Sequence, residues 1–80
     1  MTQNNEIVWA DTTNNSVTIS LPALPQDGWV ESVTKISANN TLIVNGNGNN
    51  INGLSMPIMT NILSTSYTFV FHEGYGWSIF

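Results

Sequence analysis

The chain has 80 residues, no cysteine and a single histidine, which excludes disulfides and thiolate metal sites and argues against a zinc site. Its net charge is −4 with one basic residue, so it lacks the cations that nucleic-acid phosphates require. No apolar run approaches the roughly 20 residues of a membrane helix, and the first residues do not resemble a signal peptide. We expect synthesis in the cytoplasm, no cofactor, and no nucleic-acid or membrane partner.

The polarity of the chain comes from neutral side chains. Charged residues make up 8% of the chain, against about 25% in typical soluble domains. A surface of amides and hydroxyls can be buried against another subunit without desolvating ions. Because a chain this short buries only about 60% of its unfolded surface, its stability as a monomer is marginal. The composition therefore favours association with further copies.

The first predicted elements are two short strands. Residues 6–10 (Glu-Ile-Val-Trp-Ala) predict a first strand, and residues 16–21 alternate perfectly, with all three apolar side chains on one face. This period of two is typical of a half-buried strand. Two prolines and an Asp-Gly pair in residues 22–28 then predict a turn or an irregular loop.

Residues 29–37 are less regular. Apolar side chains fall at Trp29, Val30, Val33 and Ile36, so no single alternating face runs through the segment. A bulge near residues 31–32 would restore the register. The spacing is also close to helical, which leaves a short helical turn as the alternative. The abundance of β-branched residues favours a strand.

The middle of the chain combines turns with one clear strand. Residues 38–40 predict a tight turn, since asparagine tolerates a positive φ, and residues 41–45 predict a strand. Residues 46–53 contain repeated Asn-Gly turn signals and cannot be helical. Ile51 is their one apolar residue, and we expect it to enter the core. Residues 54–63 predict an extended or irregular segment.

The clearest predicted hairpin lies at the end of the chain, where residues 66–72 and 75–80 flank Glu73-Gly74. Six or seven short strands at roughly ten-residue spacing predict an all-β fold. We expect a small antiparallel β-sandwich or barrel-like module that forms one domain over residues 1–80.

Catalytic residues are not evident in this sequence. The only histidine, His72, adjoins Glu73 in a turn, and the carboxylates are scattered singly. The Gly-Asn stretch at 46–53 has neither the lysine and following helix of a phosphate-binding loop nor the Asp ligands and tandem copies of a calcium-binding repeat. We predict that the protein is not an enzyme.

The aromatic residues allow two interpretations. Large rings in so small a domain usually pack in a core or an interface, whereas exposed rings can stack on sugars. The predicted core or interface anchors are Trp9, Trp29, Phe69, Phe71, Trp77 and Ile79. If the protein binds a ligand through an exposed surface, the candidates are Tyr75, Asn47 and Asn49.

The order of these features resembles a small β-structured domain of tail fibres, tailspikes and related virion proteins of tailed bacteriophages. Its shared parts are an alternating strand closed by proline (residues 16–23), a Pro-x-x-Gly turn (25–28) and a segment of the type Leu-x-Val-x-Gly-Asn-Gly-x-x-Ile-x-Gly (42–53). A hairpin of the type Tyr-x-x-Val-x-x-x-Gly-x-x-Trp-x-Ile (67–79) completes the pattern.

The resemblance covers residues 14–80 and leaves residues 1–13 as an N-terminal strand or docking arm. It implies a structural component of a virion, a homotrimeric module of a fibre, a tail or a capsid decoration or cement protein. Its expected partners are further copies of itself and other virion proteins. The alternative function is a receptor- or glycan-binding tip domain of a tail fibre, with a host surface glycan as partner.

Overall fold

A computed structural model describes all 80 residues. The chain forms seven strands and no helix: β1 (Ile7–Ala10), β2 (Val17–Ser20), β3 (Val30–Lys35), β4 (Leu42–Asn45), β5 (Ile58–Thr60), β6 (Ser66–His72) and β7 (Gly76–Ile79). The predicted all-β class and number of strands are confirmed.

The strands form two sheets. The large sheet has the order β1-β3-β6-β7, and the small sheet has the order β2-β4-β5. The expected antiparallel pairing holds for three of the five strand pairs, but β1 runs parallel to β3, and β2 runs parallel to β4. Parallel neighbours require a long crossover. Here the first four strands alternate between the sheets, so each crossover contains a strand of the opposite sheet.

The core lies between the two sheets. Phe69, Phe71 and Trp77 are buried in it as predicted, and the Phe71 and Trp77 rings meet edge to face at 5.1 Å. Trp29 and Ile79 are half-buried and pack against it. The complete buried apolar cluster is Ala10, Leu21, Val33, Leu42, Val44, Ile51, Phe69, Phe71 and Trp77.

Trp9 is not a core residue, so of its two predicted positions only that of an interface anchor stays a prediction. Its side chain is 73% exposed. Successive side chains of a strand point to opposite faces, and β1 directs Val8 and Ala10 towards the core. Trp9 and Ile7 therefore project from the outer side of the large sheet.

Strand β3 is regular, and the predicted bulge is absent. Its register with β6 runs without interruption from Val30 to Thr34. The buried, inward-facing residues are Glu31, Val33 and Lys35. The apolar pattern of this strand is obscured because two of its three inward positions are charged residues.

The asparagine-rich turns form where the sequence predicts them. Asn40, Asn47 and Asn52 have φ angles of 59°, 54° and 51°, the left-handed region that asparagine tolerates better than most residues. Ile51 is 2% exposed and packs in the core, as expected. The turns thus place the side chain of Ile51 in the core, although the rest of the loop is polar.

Lys35 connects two loops at one end of the sandwich. Its buried ammonium donates hydrogen bonds to the carbonyl oxygens of Ser37 and Asn39, the latter at 3.0 Å. The buried Thr12 hydroxyl donates to the same Asn39 carbonyl at 2.6 Å, and the Asn40 amide donates to the Thr12 carbonyl at 2.9 Å. The loop after β1 is thereby tied to the loop after β3.

We expect Lys35→Ala to lower the free energy of unfolding by about 3 kcal/mol, because it leaves a cavity and removes hydrogen bonds from buried carbonyls. Lys35→Met retains most of the apolar volume and should cost less. Urea denaturation of both variants measures the difference. Equal losses would mean that the lysine stem contributes nothing by packing.

Candidate functional site

The outer side of the large sheet exposes several apolar side chains. Ile7 and Trp9 of β1 are 71% and 73% exposed, and Ile36, just beyond β3, is 50% exposed. Phe80 follows β7 and is 78% exposed. Isolated exposed apolar residues are normal, but several on one face of a small domain indicate a contact surface.

The strand register places these residues at the margins of one surface. Ile7 lies opposite Ser32, which lies opposite Thr68, and the Phe80 N–H donates to the Thr68 carbonyl at 2.8 Å. One row of side chains across the sheet therefore runs from Ile7 in β1 to Phe80 just beyond β7. We term this surface the outer face, and it comprises Ile7, Trp9, Val30, Ser32, Thr34, Ile36, Ser66, Thr68, Val70, Ser78 and Phe80.

The rows of the outer face contain no charged residue, and the one titratable side chain on this side of the sheet is His72 at the end of β6, whose Nδ1 lies 3.2 Å from Asp27. The neighbouring row runs from Trp9 through Thr34 to Ser66, and the two hydroxyl groups of Thr34 and Ser66 hydrogen-bond at 2.7 Å. Hydroxyls satisfied in this way cost less to remove from water than charges do. The face can thus be buried without an ionic desolvation penalty.

Strand β1 also forms an open edge of the large sheet. Ser32 N–H donates to the Glu6 carbonyl, and Ile36 N–H donates to the Ala10 carbonyl. In a parallel ladder, alternate residues bond to the neighbouring strand. The backbone groups of Val8 and Ala10 therefore point towards β3, and those of Ile7 and Trp9 point away from the sheet.

A separate groove lies at the turn between β6 and β7. It has a volume of about 250 Å³ and is lined by Gly48, Asn49, Asn50, Phe71, Gly74, Tyr75 and Gly76. Tyr75 is 47% exposed, and its backbone N–H donates to the His72 carbonyl at 3.0 Å. No charged side chain lines this groove.

The groove depends on a close approach between the loop at residues 50–52 and β7. Trp77 N–H donates to the Asn50 carbonyl at 2.8 Å, and Asn52 N–H donates to the Trp77 carbonyl at 2.7 Å. A Cβ atom at Gly76 would lie 2.5 Å from the Asn50 carbonyl oxygen. Only glycine allows this spacing, because real Cβ atoms do not approach an oxygen so closely.

The predicted ligand-binding residues are only partly brought together. Tyr75 and Asn49 line the same groove, whereas Asn47 lies beside a depression of about 280 Å³ with Met1 and Leu24. The Asn47 amide donates to the Leu21 carbonyl at 3.1 Å, and the Asn49 amide donates to the Ala23 carbonyl at 3.3 Å. Both amides therefore hold the proline-containing loop.

Sequence reasoning did not identify Asn50 or Gly76 as lining residues. Asn50 is exposed and lines the groove. Its sequence signal is weak, since it is one of four asparagines between residues 45 and 50. Only the pairing of its backbone with Trp77, across 27 residues of sequence, distinguishes it.

Glu31 is a fully buried carboxylate. Its Oε1 accepts a hydrogen bond from the Glu6 N–H at 2.9 Å, but its Oε2 has no hydrogen-bond partner. Burial raises the pKa of Glu31 above its ordinary value of 4.5, and the Glu6 N–H opposes this shift in part. The carboxylate is enclosed by the fold, so it is a determinant of stability.

The remaining acidic groups do not converge on a site. Hydrogen bonds from the Thr13 hydroxyl and backbone N–H lower the pKa of Asp11 below 3.8. His72 Nδ1 lies 3.2 Å from Asp27 on the exposed surface. The structure contains no cluster of three or more His, Cys, Asp or Glu residues suited to a metal ion.

No protein-family model matches the chain, and no curated protein matches it. None of its segments is a helix long and apolar enough to cross a membrane. The fold itself defines a small all-β module made of two packed, mixed sheets.

Proposed function

We propose that this protein is a structural subunit of a bacteriophage virion, a homotrimeric β module of a fibre, a tail or a capsid decoration protein. The observation that carries the self-association is the uncharged outer face of the large sheet, with its open edge at β1. The virion assignment is supported by the resemblance of residues 14–80 to the β-structured domain of phage tail fibres and tailspikes.

The charge distribution favours a second copy of the chain as the occupant of this face. The single lysine is buried, and the carboxylates of Asp11, Asp27 and Glu73 are exposed. Copies of the chain therefore repel one another unless they meet through an uncharged surface. A cationic partner would instead be drawn to the acidic parts of the surface, away from the outer face.

The open edge gives a further reason for closed association. An exposed apolar edge strand invites uncontrolled pairing unless charge, proline, a bulge or a covering element protects it. None of these devices occurs within Ile7–Ala10. Packing three outer faces around one axis would bury Trp9 and Ile7 and enclose the edge, because closed symmetry limits assembly to a defined number of copies.

Sedimentation velocity of the untagged chain over a wide concentration range tests this proposal. We expect a species of three times 8.8 kDa, with Trp9→Glu shifting it to monomer, because the substitution places a like charge on every contact face. Leu24→Glu adds the same charge at a residue that is 89% exposed outside the outer face, and it should leave the trimer intact.

Circular dichroism establishes that both variants remain folded. A wild-type monomer at all concentrations would contradict the proposal. So would a trimer that is equally stable with glutamate at position 9.

A further inference from the structure

We propose that the groove between the β6–β7 turn and the loop at residues 48–50 binds a neutral saccharide. This inference goes beyond the proposed structural role and is independent of it. The groove shares no residue with the outer face. The two proposals can therefore fail separately.

The lining of the groove matches the two chemical faces of a sugar ring. A pyranose presents an apolar C–H surface and a rim of hydroxyl groups. The half-exposed Tyr75 ring offers an apolar surface with a polar edge, and Phe71 adds apolar area beneath it. Asn50 lines the groove with Asn49, which keeps its side-chain oxygen and one N–H beyond its bond to the Ala23 carbonyl, and amides both donate and accept hydrogen bonds, as hydroxyl groups require.

The absence of charge in the lining selects among ligand classes. The groove has no cation to hold a phosphate or carboxylate and no carboxylate to hold an amine or a metal ion. The only lysine is Lys35, the last residue of β3. Its buried ammonium binds the carbonyl oxygens of Ser37 and Asn39. A neutral, hydroxyl-rich ligand is the class that these groups can satisfy.

The backbone at Tyr75 is fixed by the turn, where its N–H donates to the His72 carbonyl at 3.0 Å. The Tyr75 ring lies beside Gly53, with its hydroxyl 3.5 Å from the position that a Cβ atom would take there, which is an ordinary van der Waals distance. The ring thus lies next to the Asn52-Gly53 turn and remains 47% exposed to a ligand.

Three glycines widen the access to these groups. Gly48 and Gly74 have positive φ angles of 93° and 83° and no neighbouring atom within 4 Å of a hypothetical Cβ. Gly76 brings β7 against Asn50 at the base of the groove. With a volume of about 250 Å³, just below the range of about 300–1,000 Å³ for typical ligand pockets, the groove suits one sugar residue, such as the end of a glycan chain.

Titration of the ¹⁵N-labelled protein with glucose, galactose, mannose and N-acetylglucosamine, each followed by NMR, tests the inference. We expect at least one of these sugars to shift the backbone amides of residues 48–50 and 74–76. Tyr75→Ala should weaken that binding at least about tenfold, as expected for loss of an aromatic anchor. Tyr75→Phe retains the ring and should retain most of the affinity.

Leu24→Ala is the control, since it removes an exposed apolar side chain outside both the groove and the outer face and should leave sugar binding unchanged. The melting temperature of each variant separates loss of binding from loss of folding. The inference is overturned if none of the four sugars shifts these amides. It is also overturned if the shifts persist in folded Tyr75→Ala, or if Leu24→Ala abolishes them.

Discussion

Replacing Gly76 by alanine is expected to lower the free energy of unfolding by about 3 kcal/mol, whereas the same change at Gly74 should cost about 1 kcal/mol. Both glycines have a positive φ, 113° at Gly76 and 83° at Gly74, so both substitutions strain the backbone. Only at Gly76 does the new methyl group also collide with another part of the chain.

The collision involves a backbone atom that cannot move freely. The Asn50 carbonyl oxygen, 2.5 Å from the hypothetical Cβ, accepts the hydrogen bond from the Trp77 N–H. Relief of the overlap would separate residues 50–52 from β7 and disturb Trp77, which is fully buried. The stability of a domain of this size is on the order of 4–12 kcal/mol, so the loss is a large fraction of the total.

Urea denaturation of the two variants and the wild type measures this difference. Equal destabilisation by the two alanines would show that backbone strain alone matters and that the loop yields to the added methyl group. In the NMR spectrum, Gly76→Ala should move the amides of residues 50–52, and Gly74→Ala should not.

Local features of the fold were predictable because short-range chemistry determines them. The alternation in residues 16–21 predicts β2, and the Asn-Gly pairs predict the turns after β4, from rules that involve only near neighbours. The pairing of the strands was not predictable in the same way. The parallel ladders arise because consecutive strands enter opposite sheets, which depends on the whole chain.

The position of Trp9 shows a different limit. The sequence of β1, Ile-Val-Trp-Ala, is apolar at every position, so periodicity does not indicate which face is buried. The ladder with β3 directs Val8 and Ala10 inward and leaves the larger side chains outside. The large ring of Trp9 suggests a core residue, but it lies exposed on the outer side of the large sheet.

The candidate groove was partly predictable for the same physical reasons. Tyr75 follows Gly74 in a turn, where exposure is common, and its role as a surface residue agrees with the structure. The approach of Asn50 depends on the bridge between Ile51 and Trp77, which joins distant segments of the chain. Local sequence patterns contain no information about such a bridge.

The stability of this protein is expected to fall as the pH rises through the pKa of Glu31. Because burial raises that pKa above 4.5, the folded state binds a proton more strongly than the unfolded state does. The stabilising contribution of the protonated form is fully present below pH 4.5 and is lost as the pH rises through the raised value. Near neutral pH the fold must enclose a carboxylate whose Oε2 has no partner.

The lowered pKa of Asp11 changes the stability in the opposite direction with pH, and in a different pH range. Its lowered pKa gives a contribution that is present above pH 3.8 and is lost as the pH falls through the lower folded value. Both contributions are present between pH 3.8 and pH 4.5, where the native state should reach its greatest stability. A melting-temperature profile should therefore rise on acidification from neutral pH and fall again only below about pH 4.

Glu31→Gln removes the buried charge and retains an oxygen that can accept the Glu6 N–H. We expect it to stabilise the protein at pH 7 by on the order of 1 kcal/mol, the scale of desolvating an unsatisfied buried polar atom. The rise in melting temperature on acidification from neutral pH should largely disappear in this variant. Glu73→Gln, which neutralises an exposed carboxylate, should retain that rise. If Glu31→Gln is less stable than the wild type at pH 7, the ionised carboxylate contributes to folding, and the expected direction of the pH dependence is wrong.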